Sequence, residues 1–296
     1  MTVLNITADG LPSVLLVLHH AVLASARPLD KTTLLDTVAP EHFVQDPKMT
    51  RQTLRRWTEL GLFVESDEMI SVADRPTDRM RGRDLDAWTR RTACRLALSE
   101  SNNADLWAIE GARSADLTRS LAWMLAQDAY RTQSGDLEAL EAQQIVNPDR
   151  QLLRNSTRKN GLRYWAEFLG FSRGPGGDID PTVAVRDVVP DILPAGGGMP
   201  AVEFVGAVAA ALPVLDGGRW QRAVLDEIDT SMLAPLQTGQ LSTALSRALM
   251  CLRARGDLLL QSRADAGASI TLTGFQGIRP DLSFQWIARP GKETSS

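Results

Sequence analysis

Carboxylates, histidines and cysteines could do chemistry in this chain, and their spacing decides which chemistry is open. A restriction-type nuclease holds Mg²⁺ with an acidic pair and orients water with a nearby lysine. Pro190-Asp191 precedes Glu203 at a tolerable distance, but two positions beyond Glu203 stands Val205, not lysine. Glu203 also falls in an apolar stripe of helical period. Asp178 and Asp180 could bind a divalent cation, yet no glutamate completes the set. They read better as a turn, with Asp180 capping the next helix. Asp216-Gly217-Gly218 reads as a turn before the helix of Trp220. His19 and His20 are adjacent, so on a helix they diverge by about 100° and cannot grip one metal. Cys94 and Cys251, with His19, His20 and His42, are too few for a structural zinc site or a disulfide framework. The chain contains no GxxxxGK[ST], no GxGxxG after a strand and no GxSxG. The glycine runs at 176–177, 196–198 and 217–218 are therefore turns. No catalytic residue, metal or cofactor is expected, and the chain is not expected to be an enzyme.

The charged constellations are basic instead. Arg51, Arg55 and Arg56 form one cluster, with Gln52 among them. Arg75, Arg79, Arg81 and Arg83 form a second, diluted by Asp78 and Asp84. Arg154, Arg158, Lys159, Arg163 and Arg173 share a stretch with a single acid, Glu167. Such residues supply phosphate contacts and base-edge hydrogen bonds. The plainer reading of a charge run is a solvated face. Only 4 of the 32 basic residues are lysine, which a GC-rich genome explains as well as phosphate recognition does. Trp88, Trp107, Trp123 and Trp165 could stack on bases, but they lie in apolar stripes and read better as core.

The whole composition limits these readings. The 296 residues carry a formal net charge of -4, with 44 % hydrophobic and 23 % charged residues. This is an ordinary globular composition, which can bury a core without staples. A protein basic throughout is excluded; a local basic face is not. The stretch Leu11 to Leu23 is too short to span a bilayer and carries two histidines. The start lacks the early positive charge of a signal peptide. The expectation is a cytoplasmic protein with both thiols reduced.

The elements that must position these residues are mostly helices. Residues 11–26 have an apolar stripe of Leu15, Leu16, Leu18, Val22 and Leu23. Asp30 caps a short second helix through Val38. Thr50 is the expected cap of a third helix carrying Arg51, Gln52, Arg55 and Arg56 outward, with Leu54, Trp57 and Leu60 inward. Gly61 closes it, and LFVESDEMISV alternates as a hairpin. Three helices and a hairpin make a winged helix-turn-helix. The acids Glu65, Asp67 and Glu68 at its tip would repel phosphate. Helices then follow from Asp84, around residues 115–131, 137–146 and 157–173, and again through residues 180–235. A helix closed by Gly256 leads into an expected hairpin over residues 257–273. The helix-to-hairpin transition thus recurs at Gly61 and Gly256, and predicts two winged helices around a helical spacer.

Four stretches carry a resemblance: LNITADGLPSVLLVL, NGLRYWAEFLGF, LPVLDGGRW and the ending LSTALSRAL…RGDLLL…ADA. Over residues 3–273 the chain resembles the DpdG family. That family belongs to bacterial clusters that place 7-deazaguanine derivatives in DNA and restrict unmodified DNA. The resemblance implies a component of an antiviral restriction system, acting with cluster partners. It assigns no site residues.

The combined expectation is a mostly α protein: a winged helix over 1–74, a helical middle over 75–175, a winged-helix-like domain over 176–275 and a tail over 276–296. Its expected role is non-catalytic contact with double-stranded DNA and with other proteins of the same defence cluster, away from membranes and open to oligomer formation. Arg51, Gln52, Arg55 and Arg56 are the expected recognition face. Arg154, Arg158, Lys159 and Arg163 are the expected phosphate face. A transcription regulator and a pure protein adaptor use the same architecture.

Overall fold

The computed structural model describes all residues except 1–2, 5–9, 41, 44–46, 77–79, 108–112, 134, 175, 264–266, 276 and 292–296, and the side chains of 278–281. The chain is mostly α, with eleven α-helices and four small antiparallel sheets among the described residues. No described helix is long and apolar enough to cross a membrane. Two compact units divide the chain: Met1–Thr118 with Leu152–Leu169, and Arg119–Gln151 with Gly170–Ser296. The expected helical middle is therefore shared between both units.

The first unit begins with α1 (Pro12–Ala24), β1 (Leu29–Asp30), α2 (Lys31–Val38), α3 (Lys48–Glu59), β2 (Phe63–Ser66) and β3 (Met69–Val72). Pro12 sits in the first turn of α1, where its missing N–H costs nothing. Asp30 caps α2 by accepting from the Thr33 backbone N–H at 2.8 Å. The N-cap of α3 is Pro47, so Thr50 lies inside the helix and is buried, contrary to the expected cap. Gly61 follows α3 at φ 90°, the left-handed conformation that ends a helix cheaply only for glycine. The sheet order is β1-β3-β2. Sequence patterning misses β1, because two residues carry no period.

α4 (Arg83–Ala97), the first part of α5 (Ala115–Leu125) and α7 (Ser156–Leu169) complete this unit. The N-cap of α4 is Gly82, not Asp84, which sits in the first turn. α1 is the hub, packing against α2, α3, β3, α4 and α7. Its buried Leu15, Leu18 and Val22 meet a core that includes Leu54, Trp57, Leu162 and Trp165. The Trp57 and Trp165 rings lie 5.3 Å apart. The backbone N–H groups of Val3 and Leu4 donate to the buried Asp116 carboxylate at 2.8–3.0 Å. A Cβ at Gly161 of α7 would stand 2.0 Å from the Leu4 carbonyl oxygen, so only glycine allows that approach.

The second unit contains α6 (Leu137–Gln144), β4 (Ser172–Arg173), β5 (Asp178–Ile179), α8 (Thr182–Ile192), β6 (Gly198–Pro200), α9 (Ala201–Ala211), α10 (Arg219–Leu225), α11 (Thr243–Ala254), β7 (Leu259–Gln261), β8 (Ile270–Gly274), β9 (Gly277–Phe284) and β10 (Trp286–Ala288). Its three-stranded sheet runs β6-β10-β7. Helix, strand, helices, strand and a last strand placed centrally repeat the topology of the first unit. The expected hairpin over 257–273 is corrected: β7 pairs with β10, and β8 pairs with β9. The β8-β9 hairpin is thus inserted in the chain between β7 and its partner β10. The expected tail also contains two strands, and Ile287 of β10 is fully buried. Residues 264–266, inside the expected hairpin, lie outside the described residues.

Candidate nucleic-acid interface

Helix α3 carries the basic cluster that the fold exposes best. Its buried face is Thr50, Thr53, Leu54 and Trp57, packed toward α1, α2 and β2. Because the helix begins at Lys48, positions 48, 51, 52 and 55 follow the i, i+3, i+4, i+7 spacing of a single helical face. Lys48, Arg51 and Arg55 are exposed and Gln52 is half-buried. Lys48 is absent from the sequence-derived set because a cap at Thr50 starts the helix later. The signal for it is the i−3 spacing from Arg51.

Arg56 is a correction. The sequence pattern turns it to solvent, but it is 3 % exposed and its Nη1 donates to Glu59 Oε2 at 2.7 Å. It sits on the flank of α3, between the open face and buried Thr53, and Glu59 neutralises its charge. Arg55 reaches the same carboxylate only loosely, at 4.0 Å, with its side chain 62 % exposed. The open face is therefore cationic at Lys48, Arg51 and Arg55, and ends at Glu59.

The hairpin beside α3 is acidic and pinned. Asp67 and Glu68 both have positive φ, 51° and 60°, as a two-residue turn matched to strand twist requires. Lys31 holds the hairpin twice: its backbone N–H donates to the Glu68 carbonyl at 2.8 Å, and its Nζ lies 2.6 Å from Glu65 Oε1. Hydrogen bonding to Glu65 raises the Lys31 pKa. Asp67 is left exposed at the tip.

The second expected face is split along α7: Lys159 and Arg163, four residues apart, share a side, and Arg158 does not join them. Arg154 is exposed ahead of α7, while Arg158, Lys159 and Arg163 are half-buried on it. Arg158 and Arg163 are five residues apart, which separates their directions by about 140°. Arg163 folds over the ring of Tyr164, with its guanidinium carbon 5.1 Å from the centroid. Arg173 belongs to the second unit, where its Nε lies 3.4 Å from buried Asp180. Arg75 donates to the Val22 and Leu23 carbonyls, so it caps the end of α1. Arg81 and Arg83 are exposed, and Arg79 lies outside the described residues.

The groups considered for catalysis have structural partners. Asp180 accepts from the backbone N–H of Thr182 at 3.1 Å and so serves the start of α8. Both oxygens of Asp216 accept from Ser242, through its N–H and its hydroxyl, each at 2.6 Å. Burial pushes the Asp216 pKa up. His19 Nδ1 lies 2.9 Å from Thr89 Oγ1, and its ring stacks on Trp88 at 5.4 Å. Burial first, then the charges of His20 and Arg75, lowers its pKa to about 3. His19 is thus a neutral core imidazole at physiological pH. His20 points to Asp86 instead, at 3.3 Å. Asp191 and Glu203 are both exposed and share no partner in any described contact. No three His, Cys, Asp or Glu side chains converge for a metal among the described residues. Trp123 and Trp165 are fully enclosed and offer no stacking surface; Trp88 is half-buried beneath His19.

A family model described as DpdG-like matches residues 1–266. No curated protein and no solved structure matches the chain.

Proposed function

The chain belongs to the DpdG-like family, and from that premise we propose that it is a non-catalytic, DNA-contacting component of the Dpd modification and restriction system. In this reading residues 11–72 act as a winged helix-turn-helix and α3 is its recognition helix. The observation that carries the reading is the one-sided basic face of Lys48, Arg51, Gln52 and Arg55. Three cations on one helix face suit phosphates of a duplex groove, and Gln52, whose Oε1 is buried, borders that face. In the same reading the second unit is a winged-helix-like module that serves other ends than groove reading.

The test is titration of purified protein against unmodified duplex DNA, read by fluorescence anisotropy at low salt. Binding should be present there and should weaken steeply as salt rises. A folded protein that binds no duplex at low salt would overturn the proposal. One observation favours a second reading, that of a protein adaptor. The acidic hairpin tip, held in place by Lys31, would repel phosphate where a wing usually touches it. An adaptor would bind no DNA and would copurify with another component of the cluster. A winged-helix transcription regulator would instead prefer one operator by a large factor over random duplex.

A further inference from the structure

We propose that the second unit contains a binding site for a small amphiphile with an apolar body and a single acidic group. The site is a cavity of about 1040 Å³, at the upper end of the range that holds small organic ligands. All its walls come from the second unit. Leu140, Val205, Leu225, Leu241 and Ile270 supply apolar surface.

Its polar walls are mostly occupied already. Gln127 and Gln144 exchange two side-chain hydrogen bonds at 3.0 Å, and Gln144 Oε1 also accepts from the Trp123 indole at 2.7 Å. Asp216 is engaged by Ser242 through both oxygens. A ligand rich in hydrogen-bonding groups would find few free partners there. Arg131 is different. Among the described residues it is the one cation on the lining, 71 % exposed, and it approaches Asp128 only through Nε at 3.7 Å. Its terminal nitrogens face no described acceptor, which leaves a fork free for a carboxylate or sulfonate.

One stretch of the lining, Thr230 and residues 232–236, is held mainly at its ends. Residues 230–238 are fixed at both ends. Asp229 N–H donates to the Gln144 carbonyl at 2.8 Å, and Thr271 N–H donates to Gly239 O at 2.8 Å. Between them Ala234, Pro235 and Leu236 make no hydrogen bond among the described residues. Met232 and Leu236 line the cavity yet remain 52 % and 50 % exposed. Exposed apolar side chains on the lining of a cavity are a feature of ligand-binding grooves.

The probes are 1-anilinonaphthalene-8-sulfonate and its uncharged relative N-phenyl-1-naphthylamine. The expected result is saturable binding of one sulfonate probe per chain, with blue-shifted emission and a rise in melting temperature. Arg131→Ala should weaken the sulfonate about tenfold and leave the uncharged probe unchanged. Leu140→Trp and Val205→Phe each narrow the apolar part of the site and should weaken both probes; circular dichroism shows which of the two is folded. Absence of saturable binding would overturn the proposal. So would probe affinity that is unchanged in the folded narrowed variants, or equal binding of the sulfonate with and without Arg131.

Discussion

Helices α3 and α11 occupy the same place in two copies of one topology, and they are built oppositely. Each follows a shorter helix, ends at a glycine with positive φ and leads into the outer strand of a three-stranded sheet whose last strand is central. α3 leaves a face of Lys48, Arg51, Gln52 and Arg55 open or half-open. α11 buries Ala244, Leu245, Ser246, Ala248, Leu249 and Leu252, and exposes only Arg253 and Ala254 at its end. The cause is the cover. α11 packs against α8 and against β8 of the inserted hairpin. Thr273 of β8 donates its N–H to Ser246 Oγ at 2.8 Å and its hydroxyl to Leu241 O at 2.6 Å. One arrangement of helices and strands thus makes an open helix face in one unit and a core helix in the other. Element order alone does not tell them apart.

The largest effect that separates the two helices is core truncation. Leu249→Ala removes a fully buried side chain and should cost about 3 kcal/mol by chemical denaturation. Arg51→Ala should leave the unfolding midpoint nearly unchanged. Equal destabilisation by the two would erase the contrast. Next comes pH. His19 folds at a pKa of about 3 against its ordinary 6.5, so the unfolded chain binds the extra proton between those values. Stability therefore falls as pH drops through that window, by about 2 kcal/mol at pH 5 relative to pH 7.5. Melting curves of the wild type and His19→Gln should show this slope only in the former. Asp216 in the second unit acts with the opposite sign. Its raised pKa means that the native state holds the proton longer, so its contribution worsens as pH rises above the unfolded carboxylate value. Asp216→Asn should flatten that part of the profile and leave the His19 part untouched. The smallest effects are in the caps. Ser242→Ala removes the N-cap of α11 and the hydroxyl that donates to Asp216, leaving the backbone N–H in place, and should cost about 1.5 kcal/mol. Asp30→Ala removes an exposed cap of α2 and should cost less.

The sequence is legible where local rules decide. The Asp30 cap, the Gly61 stop and the acidic hairpin follow from short-range chemistry and stand in the structure, while the stripe of α1 stands at Leu15, Leu18 and Val22 and leaves Leu16 and Leu23 half-buried. It fails where distant segments decide. Arg56 carries the residue type of a DNA contact, but its helical angle places it on a covered flank, and only the tertiary packing shows that. Lys48 joins the face because α3 starts two residues before the expected cap. The pairing of β7 with β10 escapes a local reading, which takes the nearest β segment as partner. Pro280 further disguises β9, since proline inside a strand pattern argues against a strand. The basic run before and along α7 reads as one cluster in sequence, yet the helix turns Arg158 away from Arg163.

The central claim is that α3, and not α11, meets DNA. The direct measurement is the slope of duplex affinity against salt for three proteins: wild type, Arg51→Ala/Arg55→Ala and Arg253→Ala/Arg255→Ala. The α3 pair should lower affinity at least tenfold and reduce the logarithmic slope by about 0.9 for each phosphate that the variant no longer neutralises, while the α11 pair should match wild type. An unchanged slope in the α3 variant, or weakened binding in the α11 variant instead, would contradict the claim.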